Sequence, residues 1–205
     1  MALSDFTSLK ASIADWLHRS DVTAAASIAS DVISLCEADI NATIRVRQME
    51  DVTTQAITSG YLVHPSDWIA WKSISRSTGG KRFNLSPYSS EGGAQRLGPL
   101  SGVDAGYEVL GDRTYVLPSG TGSYECRYYK KVPALSTSAT TNWLLTNYPG
   151  IYLYGSLLQA TAWEQSDPRI PLWKQAYDEA VRKLTTQDSQ AKYGPVPVMR
   201  PEGVR

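Results

Sequence analysis

The chain has 205 residues, 42% hydrophobic and 20% charged, enough for one substantial core or for a domain that carries an insertion. Its 20 Lys plus Arg balance 20 Asp plus Glu, so no net field draws it to nucleic acid or a membrane surface, and weak self-repulsion permits close assembly. No apolar run approaches the roughly 18 residues of a bilayer span, and Met1–Asp5 lacks the basic and apolar regions of a secretory signal.

Phe6, Leu9, Ile13, Trp16 and Leu17 recur at helical steps and predict a first helix, with Ser4 or Asp5 as its N-terminal cap. A corner at His18-Arg19-Ser20-Asp21 leads to a second helix whose apolar face is Ala25, Ile28, Val32, Leu35 or Cys36, Ile40 and Ile44. Asp31, Glu37, Asp39 and Asn41 are expected on the opposite, polar side. After Glu50-Asp51 the period changes. Val52–Thr58 is β-prone, Ser59-Gly60 turns the chain into Tyr61–Val63, and Trp68–Trp71 is expected to be short helix or irregular before a β-prone Lys72–Ser75. Arg82–Leu85 follows a glycine turn, and the polar Ser86–Leu100 has helical character only near Glu91–Arg96.

Tyr107–Leu110, the turn Gly111-Asp112 and Arg113–Leu117 predict a hairpin. Tyr124, Cys126 and Tyr128 then alternate with Glu125, Arg127 and Tyr129 in a further strand. Trp143–Tyr148 enters a third long helix with Pro149 in its first turn; Ile151–Trp163 is apolar on most sides and must be buried on more than one. Beyond Asp167-Pro168 a fourth helix sets Leu172 or Trp173, Ala176 or Tyr177, Ala180 or Val181, and Leu184 against a charged face.

The predicted fold is α+β: an antiparallel bundle of about four helices with an inserted antiparallel β module and an extended C-terminal tail. Residues 1–50 and 143–193 form the discontinuous bundle, 51–142 the module and 194–205 the tail.

Catalytic constellations are not found. His18 and His64 stand at no metal-ligand spacing, and Ser77–Lys81 misses the phosphate-loop pattern, with Ser75 in place of its first glycine and Arg82 after the lysine. Glu37/Asp39 and Glu50/Asp51 have no acid–base spacing, and Arg45 and Arg47 suit a helix C-terminus. Cys36 and Cys126 are expected as buried, reduced thiols in a protein folded in a cytoplasm. No cofactor or metal is expected, and an enzyme would require a pocket lined by His18, His64 or clustered carboxylates.

The 6 Trp and 12 Tyr favour contacts between proteins. Trp16, Trp163 and Trp173 belong to helix faces and are assigned to cores, while Trp68, Trp71, Tyr88, Tyr128 and Tyr129 are candidate subunit or tail-component contacts. The end of the chain offers Tyr193, Pro195, Val196, Pro197, Val198, Met199, Arg200 and Arg205. Its prolines exclude a helix, and its apolar anchors suit an extended segment that docks on a partner.

The stretches Leu9–Asp21, Cys36–Glu50, Gly60–Asp67, Trp143–Leu158 and Trp173–Ala180 together resemble the head-to-tail adaptor proteins of tailed bacteriophages, especially short-tailed ones, over most of the chain outside Ser75–Ala105. The resemblance implies a structural virion protein of the neck, made in the host cytoplasm, that forms a dodecameric ring below the portal. It implies that Gly194–Arg205 reaches the portal, that tail or nozzle proteins meet the far face, and that DNA passes only as non-specific cargo, with no membrane partner. A tail-completion or stopper protein is the alternative.

Overall fold

The computed structural model describes residues 3–17, 27–57, 60–78, 81–88, 106–117, 122–162 and 167–193. The chain divides into two compact units, 1–47 with 132–205, and 48–131.

In the first unit α1 spans Phe6–Leu17 and α2 Ser27–Thr43. Asp5 caps α1: its carboxylate accepts the Ser8 N–H at 2.8 Å, while Ser8 Oγ accepts the Asp5 N–H at 3.0 Å, a reciprocal pair that satisfies two orphan donors. Phe6, Leu9, Ile13 and Leu17 are buried, but Trp16 remains 40% exposed. Five apolar positions span too wide an arc for one contact face, so Trp16 lies at its margin, edge-on to Tyr154 at 5.9 Å. On α2 the apolar face runs through Cys36 rather than Leu35, which is 47% exposed.

The expected third long helix is two helices, α3 (Trp143–Asn147) and α4 (Pro149–Gln159). Tyr148 between them has φ −137° and ψ 57°, outside helical space, and Pro149 starts α4 where its missing N–H costs nothing. Asn142 caps α3 by accepting the Leu145 N–H at 2.9 Å. The last helix, α5, is Ile170–Tyr193, with Trp173 buried and Leu172 exposed. Helix α4 packs against α1, α2, α3 and α5, which explains why its sequence is apolar nearly all round. The approach is close: a Cβ on Gly155 would fall 2.5 Å from Cys36 Sγ.

Polar side chains of α2 catch the chain where it returns from the second unit. Asn41 Oδ1 accepts the Val132 N–H at 2.9 Å, and Glu37 Oε1, one turn earlier, accepts the Leu135 N–H at 2.8 Å. Glu37 also accepts the Tyr152 hydroxyl at 3.1 Å, and Asn142 Nδ2 donates to that hydroxyl and to the Pro133 carbonyl, each at 2.7 Å. Glu37 is therefore not on a solvated face, as its sequence position suggests, but only 7% exposed. Burial raises its pKa, opposed by the Leu135 and Tyr152 hydrogen bonds. The outgoing crossing is held in the same way, with Asp188 of α5 accepting the Arg47 N–H at 2.8 Å.

The second unit corrects the predicted fold class. In place of a small module inserted into a helical bundle, the described residues contain seven strands beside five α-helices, and the strands form a sheet with a core of its own. They are β1 (Glu50–Ile57), β2 (Tyr61–Val63), β3 (Trp68–Thr78), β4 (Lys81–Pro87), β5 (Gly106–Leu110), β6 (Arg113–Leu117) and β7 (Gly122–Lys130), in the order β1-β7-β3-β4-β5-β6-β2. All described pairings are antiparallel except the two-residue pairing of β4 with β5. The sheet curls into a nearly closed barrel, and its two end strands meet through a side chain. Gln55 Nε2 donates to the Val63 carbonyl at 2.8 Å, and Gln55 Oε1 accepts the Val63 N–H at 3.1 Å. An amide side chain thus supplies the hydrogen bonds that a neighbouring backbone would make.

Inside lie Ile57, Leu62, Ile74, Leu85, Tyr107, Val116, Tyr124 and Cys126. The alternation predicted for β7 holds, with Tyr124, Cys126 and Tyr128 buried, and Gly111 takes φ +60° in the predicted hairpin turn. Trp68–Trp71, expected to be helical or irregular, opens the longest strand. Register shifts between Trp68 and Ala70 and between Trp71 and Ser73 break the two-residue period that would have revealed it. The glycine turn at 79–80 and the helical character near Glu91–Arg96 lie outside the described residues.

Glu37→Ala leaves the Leu135 N–H and the Tyr152 hydroxyl without their acceptor and is expected to cost about 2–4 kcal/mol by urea unfolding. Glu37→Gln, which keeps an acceptor oxygen, costs less. Because the folded-state pKa of Glu37 is raised, its contribution is full below the ordinary value of 4.5 and is lost as pH rises through the elevated one. The stability of wild type relative to Glu37→Gln should therefore fall with rising pH; a flat difference would contradict the assigned burial.

Candidate functional site

Four of the sheet's ring side chains form one cluster. His64 stacks on Trp68 with centroids 3.8 Å apart and meets Trp71 edge-on at 5.5 Å, Trp68 lies 5.6 Å from Trp71, and Trp71 lies 6.0 Å from Tyr128. Thr114 on β6, fully buried, joins them: its Oγ1 accepts the Trp71 indole N–H at 2.6 Å and stands 2.8 Å from His64 Nε2. Burial lowers the His64 pKa, which favours the neutral ring. The threonine hydroxyl thus accepts from Trp71 and is the hydrogen-bond partner of His64 Nε2, so one side chain meets both rings. Tyr128 donates to Asp67 at 3.2 Å, and burial followed by the Asp67 charge pushes its pKa up to about 12. The Trp68 indole N–H is buried without a hydrogen-bond partner among the described residues.

This constellation has no activated nucleophile or acid–base pair. Cys126 is buried and its thiol pKa is pushed up to about 12, chiefly by burial; Cys36 behaves likewise, and both are free thiols. No group of three or more His, Cys, Asp or Glu that could hold a metal ion occurs among the described residues. A concavity of about 500 Å³ runs along the charged side of α5, lined by Pro171, Lys174, Gln175, Asp178, Glu179 and Arg182, a solvated face.

The outer surface of the sheet has two characters. On β7 and β4, Glu125 accepts Arg82 at 2.6 Å and Arg127 at 3.2 Å. Across β2, β6 and β5 aromatic and aliphatic residues share the outer face with Glu108 and Arg113. Tyr61 and Tyr115 are paired in register with rings 5.8 Å apart, the Arg113 guanidinium stands 4.4 Å above the Tyr61 ring, and Val63 and Leu110, both paired with Arg113, are 58% and 51% exposed. Sequence reasoning overlooked this face, because a three-residue strand shows too little alternation and only the register unites residues from three strands.

Of the candidate contacts, Trp68, Trp71 and Tyr128 are together in the cluster, and Tyr129 is on the opposite face of β7. Tyr88 is elsewhere, at the β4–β5 junction: its N–H donates to the Tyr107 carbonyl at 2.9 Å, and its ring lies where a Cβ on Gly106 would stand, 1.6 Å from that position. Tyr193 ends α5, and Pro195, Val196, Pro197, Val198, Met199, Arg200 and Arg205 lie outside the described residues, as do His18 and Trp163.

A family model described as SU10 adaptor protein matches residues 4–201, almost the whole chain. The chain belongs to this family. It is thus a phage adaptor, a structural virion protein of a family associated with portal and tail proteins. No curated protein matches it. Among the described residues, no helix is long and apolar enough to cross a membrane.

Thr114→Val is isosteric but removes the acceptor of the Trp71 N–H and the hydrogen-bond partner of His64 Nε2. In this adaptor it should destabilise the sheet unit by about 1–3 kcal/mol, read as an earlier thermal transition by tryptophan fluorescence. An unchanged transition would show that the two rings do not depend on Thr114.

Proposed function

We propose that this adaptor is the head-to-tail connector of a phage neck, a dodecameric ring between portal and tail whose lumen continues the path of DNA as non-specific cargo. The observation that carries this reading is the extent of the family match, which runs through both compact units and past α5 to residue 201. The helical unit supplies the scaffold, with α4 at its centre packed against α1, α2, α3 and α5. The sheet unit presents contacts to neighbouring subunits or tail components through Trp68, Trp71, Tyr88, Tyr128 and Tyr129, of which all but the buried Tyr128 are partly exposed. The segment Gly194–Arg205, with Tyr193 at its root, binds the portal. A closed ring suits such a part because it satisfies every lateral contact and leaves no end to polymerise.

Sedimentation with the purified cognate portal tests this. The full chain is expected to travel with the portal, and a chain truncated after Tyr193 to remain free. Association with tail components alone would support the stopper or tail-completion reading, and undiminished binding of the truncated chain would remove the tail from the portal interface.

A further inference from the structure

The barrel has two outer walls of different chemistry, one centred on β7 and one on β6. With β1 meeting β2 through Gln55, the strand order separates β7 from β6 by three steps along the shorter way round, as far apart as two of seven strands can lie. The two walls therefore face nearly opposite directions. Register decides which side chains point outward, since the opposite phase fills the core. Val52, Arg82, Glu125 and Arg127 do so on the β7 side, and Tyr61, Val63, Glu108, Leu110, Arg113 and Tyr115 on the β6 side.

The charges of the two walls are complementary. Arg82 and Arg127 share the single carboxylate of Glu125, so the β7 wall holds a surplus guanidinium. On the β6 wall Arg113 lies over the Tyr61 ring and 3.8 Å from Asp112 of the adjoining turn, and Glu108 has no ion pair among the described residues, which leaves a surplus carboxylate. Around these few charges Val63 and Leu110 are exposed and Tyr61 and Tyr115 half-buried, the composition of an interface centre rather than of a solvated wall. Pairing the β6 wall with itself would bring two acidic surpluses together and leave the arginines unused. Pairing it with the β7 wall of another copy matches both, and such a contact between unlike surfaces repeats from copy to copy until a ring closes.

We propose that neighbouring copies join head to tail through their sheet units, the Tyr61–Tyr115 wall of one docking on the Arg82–Arg127 wall of the next. The inference rests on the ring reading and adds the surfaces that make the lateral contact. Val63 and Leu110 of one copy lose water against Val52 and the arginine stems of the next, and Glu108 meets the surplus guanidinium.

Variants that each disable one wall test this in the full chain, treated with a lysine-directed cross-linker both alone and on purified cognate portal, with the ladder of linked copies as readout. The double variant Val63→Arg with Leu110→Arg disables the β6 wall at exposed positions, and Arg127→Glu disables the β7 wall. Val52→Glu repeats the second test with the Glu125 ion pairs intact. Each variant alone should lose linked copies about tenfold relative to wild type. An equimolar mixture of the double variant with Arg127→Glu should regain dimers and stop there, because each dimer joins one intact wall from either partner and ends in two disabled ones. Full ladders from the single-wall variants, or no dimers from the mixture, would overturn the pairing of these walls. Undiminished dimers from Arg127→Glu and Val52→Glu would overturn it in favour of the β6 wall pairing with itself. Wild type that stays monomeric both alone and on the portal would overturn the ring reading itself, and this inference with it.

Discussion

A buried carboxylate organises the helical unit. Glu37 lies among apolar neighbours, where an unpaired charge would be costly, and its position is tolerable because the Leu135 N–H and the Tyr152 hydroxyl converge on one of its oxygens. Through Tyr152 the same oxygen is linked to Asn142, which caps α3 and holds the Pro133 carbonyl. A segment without regular secondary structure, residues 132–142, is thereby fixed by side chains from three helical elements. Asn41 and Asp188 extend the arrangement to the backbone at Val132 and Arg47, so both passages of the chain between units begin from fixed points on the helical unit. Hydrophobic burial supplies most of the stabilisation, but these acceptors determine where the chain leaves and returns.

The sheet solves a different problem. Seven strands with one short parallel pairing do not close by backbone hydrogen bonds alone, and an open end strand invites pairing with other copies. Gln55 and Asp51 occupy those edges, and apolar packing inside the barrel stabilises the curvature. A part that must assemble through chosen surfaces benefits from edges that do not offer themselves.

Much of this was legible in the residue pattern. The period of α1, α2 and α5, the hairpin at Gly111-Asp112 and the alternation of β7 are local signals, and local signals survive folding. Other features depended on tertiary context. Two register shifts hid the start of β3, Tyr148 divided an apolar stretch that looks continuous, and Glu37 was drawn inward by partners nearly a hundred and more residues away, at Leu135 and Tyr152. The cluster around Thr114 shows the same limit. Its tryptophans could be singled out as residue types, but the hydroxyl that joins Trp71 to His64 comes from a strand distant in sequence.

Resemblance to phage adaptors rested on short helical stretches, and the family match extends it across both units and into the C-terminal segment. No catalytic arrangement competes with that assignment among the described residues, where the candidate side chains stack, cap and seal. The central claim is one of position within the particle, and electron microscopy of the purified adaptor bound to its cognate portal tests it most directly. The account predicts a twelvefold ring of this chain directly beneath the portal, with residues 194–205 traced onto the portal surface. Density for the chain only at the far end of the tail would contradict it.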